Sequence, residues 1–199
     1  MKVDGQRSVL FDLMGWDKTK EATVQRKSEF SIEDLFSGRR SESHTEIDTG
    51  AGDDTVHVKK TGDDEYTVTV NGESLTLTRE EMKNLHLKTG TGNDRIIIDP
   101  SVDVALHIDA GDGDDVIVNH ASGIHIDGGS GDDSIVSTGD ACDIVGGQGS
   151  DYIDIRGDGN RVTRGGGENA FFDLLFGFLD RDEVHVDGHG NVVDGQRAE

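Results

Sequence analysis

Carboxylates set among glycines are the residues of this chain best placed to do chemistry, and they recur in register. The cluster appears as TGAGDD (49–54), TGTGND (89–94), AGDGDD (110–115), GGSGDD (128–133), GGQGSD (146–151) and RGGGEN (164–169). The last four copies begin at 110, 128, 146 and 164, a constant step of eighteen, whereas 89 to 110 is twenty-one and 49 to 89 is forty. Self-similarity at a fixed short period marks a repeat protein with one structural coil per step. If neighbouring coils stack at the strand spacing of about 4.8 Å, the closing acids form a column. Adjacent members of such a column repel by roughly 1 kcal/mol in water and by several times more beside a low-dielectric surface. With a formal net charge of −22 over the whole chain, a cation is expected between them. A turn-forming Asp alone would also suit tight Gly-Asp turns, but it need not fall at the same place in coil after coil; a metal ligand must.

The elements that hold the column in place follow from the residues on either side of it. Two positions before each cluster stand Ile47, Leu87, Ile108, Ile126, Ile144 and Val162, and two after the final acid stand Val56, Ile96, Ile117, Ile135, Ile153 and Phe171. Apolar residues alternating at a period of two read as strands. Stacking turns these positions into two inward-facing apolar columns, and the glycines supply the backbone angles the turns between them demand. A solenoid of parallel strands follows. Its narrow interior is compatible with 32% hydrophobic and 5% aromatic content, too lean for a thick globular core.

GGSGDDSIV (128–136), GGQGSDYID (146–154) and AGDGDDVIV (110–118) resemble the GGxGxDxUx nonapeptide of RTX, or haemolysin-type, calcium-binding repeats. The resemblance covers residues 45–170. It implies an all-β fold, a right-handed parallel β-roll or β-helix with about 18 residues per coil, and calcium held between stacked turns by the last aspartate of the motif and by backbone carbonyls. Carried onto this chain, the ligands are Asp54, Asp94, Asp115, Asp133 and Asp151, with carbonyls near Gly90, Gly92, Gly111, Gly113, Gly129, Gly131, Gly147 and Gly149. Hard oxygen donors at high carboxylate density, without paired Cys or a tight His cluster, are what calcium prefers. Asn169 replaces the acid in the final copy, so the site between Asp151 and Asn169 is expected to be weaker or empty. Every second nonapeptide, NHASGIHID (119–127), STGDACDIV (137–145) and IRGDGNRVT (155–163), is degenerate, which leaves one row of sites.

Three regions are expected: an arm over 1–45, the roll over 46–169 with an insertion at 59–84, and a terminal part over 170–199. In the insertion, EYTVTVNGESLTLT (65–78) places Asn71-Gly72 between alternating strands and predicts a β-hairpin, followed by a short helical turn in REEMKN. In the arm, SIEDLFSG (31–38) predicts a short helix between Ser31 as N-cap and Gly38 as stop. ENAFFDLLFGFLD (168–180) is read as an apolar cap over the open end of the coils, and VHVDGHGNVVDG (184–195) as a last, metal-free coil. His86, His107 and His125 precede the clusters at equal offset; they read as an outward ladder of imidazoles rather than a metal site, repelling if protonated near pH 6. The single Cys142 excludes an internal disulfide and reads as a small buried side chain.

No Ser-His-Asp or Cys-His pairing is arguable from spacing, so an enzyme is disfavoured. Strong negative charge argues against nucleic acid and anionic membranes as partners, and no apolar stretch is long enough to span a bilayer. The expected function is that of a secreted bacterial protein or effector whose roll is stabilised by calcium. No Sec signal peptide is visible, which points to a type I or type III route, with secretion machinery or a secretion chaperone, a polysaccharide or a host protein as partners. The alternatives are a carbohydrate-active β-helix enzyme of the lyase or epimerase type, and a metal-free adhesive or scaffold.

Overall fold

The structure, a computed structural model, describes residues 23–27, 44–83, 85–165 and 183–197. The expected helix over 31–38, Asn169 and the apolar segment 168–180 lie outside them.

The regular structure of the described chain is nearly all strand, and it lies in two sheets. Sheet A contains β2 (His44–Asp48), β6 (Leu85–Lys88), β8 (His107–Asp109), β10 (His125–Ser130), β12 (Asp143–Gln148), β14 (Arg161–Gly165) and β16 (Val192–Val193), parallel and neighbouring in that order. Sheet B contains β3 (Thr55–Lys60), β7 (Arg95–Ile98), β9 (Val116–Asn119), β11 (Ser134–Ser137), β13 (Tyr152–Ile155) and β15 (Glu183–Val186), likewise parallel. Outside the insertion that follows β3, each of these strands before β16 is followed in the chain by a strand of the other sheet, and parallel neighbours come from successive repeats. Neither sheet closes on itself: each has two end strands.

Register puts the apolar positions in line. Ile47, Leu87, Ile108, Ile126, Ile144 and Val162 are successive partners across sheet A, and Val56, Ile96, Ile117, Ile135 and Ile153 across sheet B. All are buried and belong to one core. Each such side chain contributes about 1.5–3 kcal/mol on burial, and a one-residue slip would turn the whole set to solvent. Phe171, expected as the sixth member of the second column, lies outside the described residues; Val184 of β15 stands beside Ile153 instead.

The parallel pattern is broken in three places. The insertion folds back on sheet B: β4 (Glu65–Val70) is antiparallel to β3 and β5 (Glu73–Thr78) is antiparallel to β4. Asn71 and Gly72 join β4 to β5 with φ of 51° and 88°, the paired left-handed angles of a type I′ turn. A helical turn α1 (Arg79–Met82) follows, capped by Thr78 and Glu81 in a reciprocal box. At the two ends of sheet A, β1 (Thr23–Lys27) and β17 (Gln196–Arg197) lie antiparallel to β2 and β16, covering the edges that β2 and β16 would otherwise expose.

Candidate metal centre

The glycines set how closely one turn sits on the next. Gly129 has φ of 100° and Gly131 of 133°, and a Cβ at either would run into the carbonyl of Gly111 or Gly113 in the coil beneath. Only glycine satisfies both demands. The turns are zipped by backbone bonds: Ser130 donates to Gly111 O at 2.7 Å, Asp112 to Gly90 O at 2.8 Å, and Gly131 to Gln148 O at 2.7 Å. The carbonyls of Gly90 and Gly111 therefore already accept one hydrogen bond each, with a second lone pair remaining.

Each turn ends on an aspartate that folds inward. Asp54, Asp94, Asp115, Asp133 and Asp151 are no more than 2% exposed. The backbone N–H of each donates to Oδ1 of the next: Asp54 to Asp94 at 2.7 Å, Asp94 to Asp115 at 2.7 Å, Asp115 to Asp133 at 2.8 Å, and Asp133 to Asp151 at 3.0 Å. The carboxylates accordingly form a continuous ladder. It uses one oxygen per residue, and Oδ2 of Asp115 and Asp133 is buried with no hydrogen-bond partner, whereas the Asp94 carboxylate has the Thr89 hydroxyl beside it. Burying such an oxygen uncompensated is costly. Desolvation first, and then the like charges of neighbouring acids, push the Asp133 carboxyl from 3.8 up to about 7 and that of Asp115 up to about 6, while Asp94 is raised as well. Asp54 differs, because Thr49 Oγ1 donates to its Oδ2 at 2.7 Å and Asn71 Nδ2 to its Oδ1 at 2.6 Å. A second, solvent-facing ladder runs alongside, in which Asp53, Asn93, Asp114 and Asp132 accept the N–H of Asn93, Asp114, Asp132 and Ser150 at 2.8–3.0 Å.

The opposite, degenerate edge repeats this architecture with neutral groups, which the sequence reading did not identify. At the position equivalent to the inward aspartate stand Ile124, Cys142, Asn160 and Asn191. Cys142 N donates to Asn160 Oδ1 at 2.8 Å and Asn160 N to Asn191 Oδ1 at 2.7 Å, while Asn191 Nδ2 donates to Gly157 O at 3.0 Å. The unsatisfied buried atom here is Asn160 Nδ2, a donor that repels a cation where the other edge presents acceptors. The signal was in the sequence, for GDGN (157–160) and GHGN (188–191) keep the glycine-x-glycine-x spacing with Asn in place of Asp.

On the outer face of sheet A, Glu46, His86, His107, His125 and Asp143 are consecutive partners. The rings of His86 and His107 meet edge to face at 5.4 Å between centres, those of His107 and His125 are tilted at 5.1 Å, and burial followed by the neighbouring imidazoles lowers the pKa of His107. Cys142 is buried, its thiol near the carbonyl of Ala121 at 3.4 Å.

Among the described residues, no three His, Cys, Asp or Glu side chains converge on one point as a chelating cage would. The aspartate column fits a hard cation in another way. It offers buried carboxylate oxygens in line, and those of Asp115 and Asp133 include an Oδ2 without a hydrogen-bond partner. At Gly128, moreover, the space that a Cβ would fill is bounded by Asp133 Oδ2 and by the carbonyl oxygen of Gly146 from the next coil. Carboxylate and carbonyl oxygens together are a calcium-type donor set. No helix of the described residues is long and apolar enough to cross a membrane. No family model, no curated protein and no solved structure matches this chain.

Proposed function

We propose that this is a calcium-binding protein of the haemolysin-type repeat kind, a right-handed parallel β-roll that takes calcium between stacked turns along one edge. The observation that carries the reading is the in-register column of buried aspartates, in which Oδ2 of Asp115 and Asp133 has no hydrogen-bond partner. Such an oxygen is stable beside a proton or a cation, and at neutral pH a divalent cation at millimolar concentration competes well for it. Oδ2 of Asp94, Asp115, Asp133 and Asp151 would hold the ions together with carbonyls that open the neighbouring clusters, such as that of Gly146. Neighbouring coils repeat at about 4.8 Å, so a point midway between equivalent oxygens is about 2.4 Å from each, within the calcium–oxygen range. The ion would supply positive charge to a column otherwise self-repelling, and binding to the folded state alone would stabilise it.

Sites with few carboxylates suit the weak, extracellular class of calcium modules, with dissociation constants of about 10⁻⁴–10⁻³ M. That affinity agrees with a secreted bacterial protein or effector whose roll tightens after export, and with a binding role rather than an enzymatic one. Calorimetry at neutral pH is the test. About three to five ions are expected from the number of adjacent turn pairs, and zero stoichiometry in millimolar calcium overturns the reading.

A further inference from the structure

The turns are not equivalent at the residue that opens each cluster, which runs Thr49, Thr89, Ala110, Gly128, Gly146 along the column. At the first turn the Thr49 hydroxyl donates to Asp54 Oδ2 at 2.7 Å and lies 3.0 Å from the carbonyl of Thr89. Asn71, from the type I′ turn of the insertion, donates its amide to the other oxygen of Asp54 at 2.6 Å. Both oxygens of this carboxylate thus face a donor, which is what a cation would otherwise provide. At the second turn the Thr89 hydroxyl is buried, lies beside the Asp94 carboxylate and donates to the carbonyl of Ala110 at 2.8 Å, occupying an oxygen of the kind a cation would use. From Ala110 onward no hydroxyl stands at this position. There the Oδ2 atoms of Asp115 and Asp133 face no donor, and Gly128 leaves open the space between Asp133 Oδ2 and the Gly146 carbonyl.

A second fastening is confined to the same end. Asp103, in the loop after β7, accepts from Lys60 Nζ and Arg79 NH2, each at 2.8 Å, and from the hydroxyl of buried Tyr66. It ties the insertion to the coil that follows without any metal.

We infer that Thr49 and Asn71 close the first turn in place of a cation, so that the chain divides into a calcium-independent part over residues 44–106 and a calcium-dependent part over 107–165. The division rests on the calcium reading above and specifies its regulation. Without calcium, the first part is an ordered seed carrying an exposed sheet end; calcium adds the later coils onto it. A hydroxyl is a good substitute because it brings its donor without charge and cannot be removed by a chelator.

Hydrogen–deuterium exchange on the full chain, read segment by segment in chelator and in millimolar calcium, tests this. Residues 44–98 are expected to be equally protected in both, and residues 110–155 to gain at least tenfold protection with calcium. Thr49→Val, which keeps the shape and removes the donor, is expected to lose protection over 44–98 in chelator, whereas Thr49→Ser keeps it. A calcium response spread evenly over both parts, or a Thr49→Val chain as protected in chelator as the unaltered one, overturns the inference and leaves the calcium reading standing. If Thr49→Val fails to fold, the comparison of the two parts in the unaltered chain still decides. Absence of any exchange response together with no heat of calcium binding overturns the calcium reading itself.

Discussion

Replacing Asp133 by Asn is the most informative perturbation of the column, because it should change sign with calcium. Asn keeps the Oδ1 acceptor for the N–H of Asp115, bonded at 2.8 Å, and removes the charge. In metal-free protein that charge is a burden. Burial above all, and then the like charges of Asp115 and Asp151, disfavour it. The rise of its pKa from 3.8 to about 7 corresponds at about 1.4 kcal/mol per unit to an ionisation cost of at most about 4 kcal/mol at pH 8. A raised carboxyl pKa means that the folded protein holds its proton more tightly than the unfolded chain does. This stability is fully present below about pH 4 and lost as pH rises through about 7. Against the relief stands the cost of a buried amide, about 1–3 kcal/mol if it is unpaired and less where its N–H reaches the carbonyl beyond Gly128. In chelator at pH 8, Asp133→Asn should therefore be more stable than the unaltered protein by about 1–3 kcal/mol, and at pH 4, where the relief is absent and the amide cost remains, less stable by up to about 1–3 kcal/mol. In calcium the order reverses, since each occupied site at a hundredfold excess over its dissociation constant adds about 2.7 kcal/mol and Asp133 faces two gaps. Urea denaturation at both pH values, with and without calcium, reads all four numbers. A variant destabilised equally at both pH values in chelator, or one that gains as much from calcium as its parent, refutes the account of this carboxylate.

Gly131→Ala demands a φ of 133° from an alanine and drives its Cβ into the carbonyl of Gly113; it should cost several kcal/mol and abolish the calcium-induced change in circular dichroism over the later coils. An unchanged melting temperature would contradict the close stacking of turns. His107→Gln acts in the opposite pH direction to Asp133. The pKa of His107 is lowered, so its stability contribution is present above the unfolded value near 6.5 and lost as pH falls through the folded value. Thermal melts from pH 7.5 to 5 should show a smaller loss in the variant than in the parent, and parallel curves would show that the imidazole row does not titrate against folding.

What the sequence made legible was whatever recurs in every repeat. The strand positions and their two apolar columns follow from alternation at a fixed offset from the glycines, so Ile108, Ile126 and Ile144 could be placed in line before any coordinates. The type I′ turn at Asn71-Gly72 is equally local. Contacts between coils were less accessible. Asn71 reaches across 17 positions to Asp54, and Asp103 across 43 and 24 to Lys60 and Arg79; no periodicity encodes such pairs, because they join the insertion and an extended loop that interrupt the repeat. The degenerate nonapeptides fall between these cases. Asn160 and Asn191 keep the position of the inward aspartate and make the same cross-coil bond, so both edges are built on one ladder. They differ in one functional group. An amide offers an acceptor to the backbone and a donor to the interior, whereas a carboxylate offers two acceptors and leaves one of them needing a positive partner. The change from Asn to Asp thus replaces a turn that a carbonyl of the protein can complete, as that of Gly157 does for Asn191 Nδ2, by one that demands a cation or a proton, and this chain carries both versions, one on each edge.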